Sequence, residues 1–272
     1  VSDYAAFSSL LAGRMRADVA CPQCGPLCRT PANRTRPVLR LWRLGEVGIS
    51  FICQRCGARG YALDFQARRS TDDTEWKRRV TEARRAEKQE RQRKRRIVDW
   101  LWQQSAPVAG TLGETYLRKH RGIACPLPPA MRFIGAGKHP AAILMPFRDQ
   151  AGALKGLHLT SLNPDGSKIE KKMLGADTVG CPLVCAEPGG SHLAITEGIE
   201  DALSLFQAVG VATWAAGSAG RMPALAERLP TWATEITIVA DSDLPGRNGA
   251  NELKRRVMKM RRAVVILQLE AS

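Results

Sequence analysis

Short, nearly continuous apolar runs dominate the C-terminal part of the sequence. Leu193–Thr196, Val211–Ala215, Ile236–Ala240 and Ala263–Leu267 read as strands, with Glu200–Val209, Pro223–Arg228 and Gly249–Met260 between them as helices. Strands that lack polar alternation and are separated by helices predict a parallel sheet covered on both faces. Upstream, Met131–Phe133, Ala142–Phe147 and Leu154–Leu159 are strand patterns, and Arg148–Gly152 is a hairpin turn between the last two. Thr111–Leu117 reads as a short helix with Thr111 and Glu114 at capping-box spacing, although Gly113 in its first turn is unfavourable. Near the N-terminus, Val38–Leu44 and Val47–Cys53 read as a hairpin turning at Gly45 and Glu46.

Residues 67–98 contain neither Gly nor Pro and place Glu75/Arg79, Glu87/Arg91 and Glu90/Lys94 at i,i+4 spacing. The apolar set Trp76, Val80 and Ala83 soon fades, so this helix is polar all round and reads as a solvated linker. Its alternative is a nucleic-acid contact along Arg91, Arg93, Lys94, Arg95 and Arg96. Four parts are therefore expected: a small β module (1–66), a basic helical linker (67–98), a mixed α+β region (99–189) and an α/β domain (190–272).

Charge sharpens the picture. The 272 residues carry a formal net charge of +15, with Lys and Arg clustered, which fits a polyanionic partner better than solubility alone. No apolar stretch approaches bilayer-spanning length, and Val1–Arg16 lacks the charged start and apolar run of a leader. A reducing, cytoplasmic setting without a membrane follows as the expectation, and there paired cysteines more often bind metal than form disulfides.

Two matching knuckles, Cys21-Pro-Gln-Cys24-Gly25 and Cys53-Gln-Arg-Cys56-Gly57, flank the hairpin. Four thiolates so placed make a closed tetrahedral site for a structural Zn2+, and metal binding supplies folding energy that so small a module lacks. Cys28 is a spare thiol that could replace one ligand, whereas Cys125, Cys181 and Cys185 read as ordinary cysteines.

In the last domain, Glu197 follows the first strand and Asp241 the third, with Asp243 two residues on. Ligands of open parallel sheets bind at the carboxyl ends of strands, so these three acids should converge. Hard oxygen ligands in a protein that meets polyanions suggest Mg2+ or Mn2+ held together with substrate phosphates. An acid at a strand end is also a common helix N-cap.

The segments Thr196-Glu197-Gly198-Ile199-Glu200-Asp201 and Asp241-Ser242-Asp243-Leu244-Pro245-Gly246 resemble the two signature motifs of the Toprim domain, the family that includes DnaG-type primases, topoisomerases and some nucleases. The resemblance covers the last third of the chain. It implies Glu197 as the metal-linked acid, Asp241 and Asp243 as metal ligands and Asp201 as a supporting acid. Upstream, Ile143–Asp149, Gly156–His158 and Lys171–Gly175 resemble the basic half of primase cores. The whole arrangement is similar to the Toprim primases of plasmids and phages, in which a zinc ribbon precedes the polymerase core. That likeness implies RNA primer synthesis on single-stranded DNA from nucleoside triphosphates, beside a replicative helicase.

On that reading Arg148, Lys155, Lys171 and Lys172 neutralise triphosphate and template, with a solvated turn as the alternative for the two adjacent lysines. His158 positions a nucleotide or is a satisfied structural histidine. Arg40, Trp42 and Arg43 of the ribbon contact phosphate and stack on bases, unless Trp42 is ribbon core. Gly135-Ala136-Gly137-Lys138-His139 lacks the first Gly and the hydroxyl of a P-loop, so no ATPase is expected. The family usually continues past the last strand, whereas this sequence ends at Ser272. Two competing readings remain, a Toprim nuclease and a non-catalytic single-strand-binding accessory subunit. A topoisomerase fits poorly, since Tyr4, Tyr61 and Tyr116 lack an obvious nucleophile setting.

Overall fold

The computed structural model describes residues 4–28, 30–44, 48–64, 73–187 and 189–268. The turn expected at Gly45 and Glu46, Val47, residues 67–72 and the side chains of Glu75, Trp76, Arg79, Val80 and Ala83 lie outside them. Contacts divide the chain into two compact units, Val1–Glu90 and Arg91–Ser272.

The first unit opens with helix α1 (Tyr4–Leu11), strand β1 (Arg16–Ala20) and a single-turn helix α2 (Pro31–Thr35). Strands β2 (Pro37–Arg43), β3 (Gly48–Cys53) and β4 (Arg59–Leu63) then complete an antiparallel sheet in the order β1-β2-β3-β4. The expected hairpin is its centre, with Leu41 opposite Phe51 and Leu39 opposite Cys53. The outer strands β1 and β4 carry too few apolar positions to stand out in the sequence. Alternation along β2 sends Leu39 and Leu41 into a core with Phe7, Leu11, Ile49, Phe51 and Ala62. Arg40 and Trp42 therefore project from the other face, and Trp42 is outside the core.

Helix α3 (Asp73–Gln104) crosses the boundary between the units. Beyond it come strand β5 (Ala106–Pro107), helix α4 (Leu112–Thr115) continuing into a π-turn over Tyr116–His120, and strands β6 (Arg132–Ile134), β7 (Ala141–Arg148), β8 (Leu154–Leu162) and β9 (Lys168–Gly175). The five strands form an antiparallel sheet in chain order. One face packs under the end of α3, where Val98 and Leu101 meet Ala142, Leu144 and Leu157. The other face buries Ile143, Met145, Phe147 and Leu162 against Tyr116, Leu117 and part of the next sheet.

The Thr111 hydroxyl caps α4 by accepting from Gly113 N at 3.1 Å, and Glu114 Oε2 accepts from Gly110 N at 2.7 Å, a capping box displaced by one residue. Gly113, a poor helix residue, is a packing necessity. A Cβ there would lie 2.9 Å from both Ile143 and Phe133 side chains.

Strands β10 (Leu183–Ala186) and β11 (His192–Thr196), helix α5 (Ile199–Val209), strand β12 (Ala212–Ala215), a 3-10 helix over Ala219–Arg228, strand β13 (Glu235–Ala240), helix α6 (Leu244–Lys259) and strand β14 (Ala263–Gln268) build the last sheet. Its order is β10-β12-β11-β13-β14. All pairs are parallel except β10 with β12. Helix α5 packs on one face through Ile199, Ala202 and Leu203. The 3-10 helix and α6 cover the other through Met222, Leu225, Ala250, Leu253 and Val257. The α/β fold with both faces covered is thus as the sequence predicts. Two details differ. The helix expected at Pro223–Arg228 is of the 3-10 type and starts at Ala219, with Pro223 inside it. Helix α6 starts five residues earlier than expected, because Asp243 caps it and Pro245 sits in its first turn, where no N–H is needed.

Candidate active site and metal centre

The chain leaves β11 to one side through α5 and β12, then crosses back to β13 on the other. The strand order reverses there, so β11 and β13 end beside a crevice, the usual ligand position of open α/β sheets. Glu197 leaves β11 and Asp241 leaves β13 at this point. Their charges couple. Burial, then repulsion from Asp241, Asp243 and Asp201, pushes the Glu197 carboxyl up to about 7, against a hydrogen bond donated by the Ala219 N–H. Asp241 is also raised, by burial first and then by Asp201 and Asp243, with Lys171 opposing. Asp243 Oδ1 accepts from Gly246 N at 2.8 Å, so this acid is an N-cap as well as a member of the cluster.

Gly198 lets the site close. A Cβ on it would collide with Asp201 Oδ2 and come within 3.8 Å of Lys171 Nζ. Asp201 and Lys171 therefore meet over the backbone that follows Glu197. Among the described residues these acids do not form a group of three whose ligand oxygens all lie within 4.8 Å of one another. A divalent cation here would have to draw its remaining ligands from water and substrate phosphates rather than from a protein cage. Glu197 and Asp241, held at raised pKa values beside other carboxylates, are donors that such a cation would relax.

Sequence reading missed the support behind this cluster. Glu200 is 4% exposed. It accepts from Lys171 Nζ at 2.7 Å and from the Tyr116 hydroxyl at 2.9 Å. Burial raises its pKa, but the Lys171 charge and hydrogen bond outweigh that and hold it down at about 2. The available signal was its spacing, because Glu200 shares a helix face with the buried Leu203.

The basic candidates separate. Lys171 and Lys172 lie on strand β9, not on a turn, so they point to opposite faces. Lys171 shares its face with Met173 and reaches the acids. Lys172 shares its face with Leu174, on the side that α3 covers. Arg148 stacks over Trp102 at 5.4 Å and donates to Gly152 O at 2.7 Å. Lys155 pairs with Asp149 at 2.9 Å across the β7–β8 turn. His158 is 3% exposed, and its Nδ1 has no partner among the described residues. In the first unit, Arg40 is held by Asp18 at 2.6 Å and Glu90 at 3.3 Å, and Arg43 donates to Ser8 Oγ at 3.2 Å. Trp42 is partly exposed, with the Arg40 guanidinium 5.8 Å from its ring.

Cys21, Cys24, Cys53 and Cys56 bring their sulfurs within 4.8 Å of one another. The Cys21–Cys56 and Cys24–Cys53 separations are 4.0 and 3.7 Å. Sulfurs bound to zinc at about 2.3 Å in a tetrahedron stand roughly 3.8 Å apart, so the four can hold such an ion. Cys28 stays outside, its sulfur donating to Cys24 O at 3.2 Å and accepting from Arg55 at 2.8 Å.

Residues 92–180 match a domain of unknown function (DUF7146), and residues 192–272 match the Toprim domain. No curated protein matches the chain. Three solved structures are similar to parts of it. The primase fragment of the bacteriophage T7 primase-helicase protein has 16% identity over 56% of this chain and 59% of that one, with a TM-score of 0.38. The DnaG catalytic core has 18% identity over 47% and 44%, at 0.37. A DNA primase domain from Pseudomonas aeruginosa has 19% identity over 47% and 43%, at 0.35. The match thus spans about half the length of each of those chains. By family match, the C-terminal third of this chain, residues 192–272, is a Toprim domain.

Proposed function

We propose that this chain is a DNA primase that makes short RNA primers on single-stranded DNA by metal-dependent nucleotidyl transfer, working in the cytoplasm beside a replicative helicase. The observation that carries the reading is the meeting of opposite charges at the strand ends. The antiparallel sheet delivers Lys171 to the Toprim carboxylates, and Glu200 fixes it there. Strand ends that carry both signs of charge suit a substrate that brings phosphates and a cation together.

Asp241 and Asp243, with Glu197, would hold Mg2+ or Mn2+, and Asp201 would support them. The bound metal would supply Lewis-acid stabilisation of the phosphoryl oxygens. The 3′-hydroxyl oxygen of the primer attacks the α-phosphorus of a nucleoside triphosphate. The new P–O bond forms as the bond to the α,β-bridging oxygen breaks, and pyrophosphate leaves. The hydroxyl proton passes to solvent. Lys171 faces the triphosphate, while Arg148, Lys155 and Lys172 are the candidates for template contact. The four cysteines hold structural Zn2+, and Arg40 and Trp42 lie on the ribbon's open face for template, with Arg43 the third candidate from the opposite face, beside Ser8.

The test is primer synthesis on single-stranded DNA with labelled nucleoside triphosphates and Mg2+. Wild type should yield short RNA, and Glu197→Gln should lower the yield at least a hundredfold while DNA binding persists. Equal yields from both chains would overturn the site. Nicking of plasmid DNA without added nucleotides would replace the primase with a Toprim nuclease. Tight binding with no turnover would leave an accessory subunit.

A further inference from the structure

The loop Gly135–His139, which fails as a P-loop, joins β6 to β7 and ends against α3. The His139 and Trp100 rings stand nearly perpendicular, at 79°, with centroids 6.3 Å apart. Trp100 is nevertheless 51% exposed, and Ile97 one turn before it is 38% exposed. Helical spacing sets Arg93 and Arg96 on the same stripe as Trp100, and both are exposed. Lys138 is exposed beside His139. A Cβ added at Gly135 or Gly137 would meet nothing within 4 Å, so the loop leaves open space. The opposite stripe of the helix, Val98 and Leu101, is anchored in the core. The indole is therefore fixed to a rigid support and partly open to solvent, with cationic groups along its stripe.

We propose that Trp100, His139 and the exposed Arg93, Arg96 and Lys138 form a stacking site for single-stranded nucleic acid, separate from the Toprim acids. The positive charge selects a polyanion. The open indole selects an unpaired base, which a duplex cannot offer. The site also gives the basic stretch of α3 a role that the solvated-linker reading does not. The inference does not depend on primase chemistry, so the inactive Glu197→Gln chain should bind as wild type does.

The experiment is fluorescence anisotropy of the full chain with labelled oligo(dT), and with a hairpin duplex of equal length, across a salt series. Trp100→Ala should weaken oligo(dT) binding about tenfold, with Trp100→Phe recovering most of it. The double change Arg96→Gln with Lys138→Gln should flatten the salt slope by about 1.4, at about 0.7 per contact. Duplex binding should respond to the charge change and not to Trp100→Ala. In parallel, wild type is photo-crosslinked to an oligonucleotide carrying 5-iododeoxyuridine and the adduct mapped, which needs no variant to fold. An adduct at Trp100 supports the site. Affinity within twofold of wild type for Trp100→Ala with no adduct at Trp100, equal loss on duplex, or a change in self-association in place of DNA affinity would each overturn it.

Discussion

His158 sits sealed on β8 with Lys171, Glu200 and Arg221 acting on its ring. Burial first, then the positive charges of Lys171 and Arg221, lowers its pKa to about 4, with Glu200 opposing. In the unfolded chain the imidazole returns to its ordinary value near 6.5. Between those values the unfolded chain binds a proton that the folded one refuses. Its contribution to stability is therefore full above about pH 6.5 and is lost as pH falls toward 4. The span corresponds to on the order of 3 kcal/mol. Urea unfolding at pH 7 and pH 4.5 should show a smaller drop in His158→Gln than in wild type. Equal drops would mean that the ring titrates freely. The same residue shows what composition leaves open at this scale: a histidine in a basic segment read as either a nucleotide contact or a structural histidine, and only the strand register reveals that it is enclosed.

At the scale of elements, Asp243 holds two roles that can be separated. It caps α6, and it adds negative charge beside Glu197 and Asp241. Asn caps as well as Asp, whereas Ala does not cap. Asp243→Asn should keep thermal stability within a few tenths of a kcal/mol and lose most Mg2+-dependent activity. Asp243→Ala should lose activity and about 1 kcal/mol of stability as well. If both variants melt alike, the cap contributes nothing. Much of the fold could be read from sequence where elements declare themselves. The apolar runs β11, β12 and β13 and the acids after β11 and β13 are of this kind, because a buried parallel strand needs side chains apolar on both faces. Strand β9 could not be read. Lys168–Gly175 carries four charged residues in eight, without strict alternation, and is held by pairing with β8 rather than by its own pattern. Missing it turned Lys171 and Lys172 into equivalent neighbours, when the pleat assigns them to different faces. Glu200 was hidden for a related reason: its partners Tyr116 and Lys171 are 84 and 29 residues away in sequence.

Across the whole molecule the two compact units rest on different sources of stability. Val1–Glu90 is organised around a small apolar core and the four-cysteine cluster, and Arg91–Ser272 around two layered sheets. Withdrawal of zinc by a chelator should expose the first unit to proteolysis while the second keeps its protected core fragment. A protease pattern that does not change on chelation would show that the cysteines are not a metal site.

The core that joins the two sheets of the second unit draws Tyr116, Ile143, Met145 and Phe147 from one side and Ile199, Ala202, Leu203 and Ala215 from the other. The two family matches meet across this core without sharing a residue. What is separable on paper is therefore not portable. Residues 192–272 moved alone into another protein would carry α5 with its apolar side bare and Glu200 stripped of its lysine and tyrosine, an aggregating insert rather than a transferable catalytic cassette.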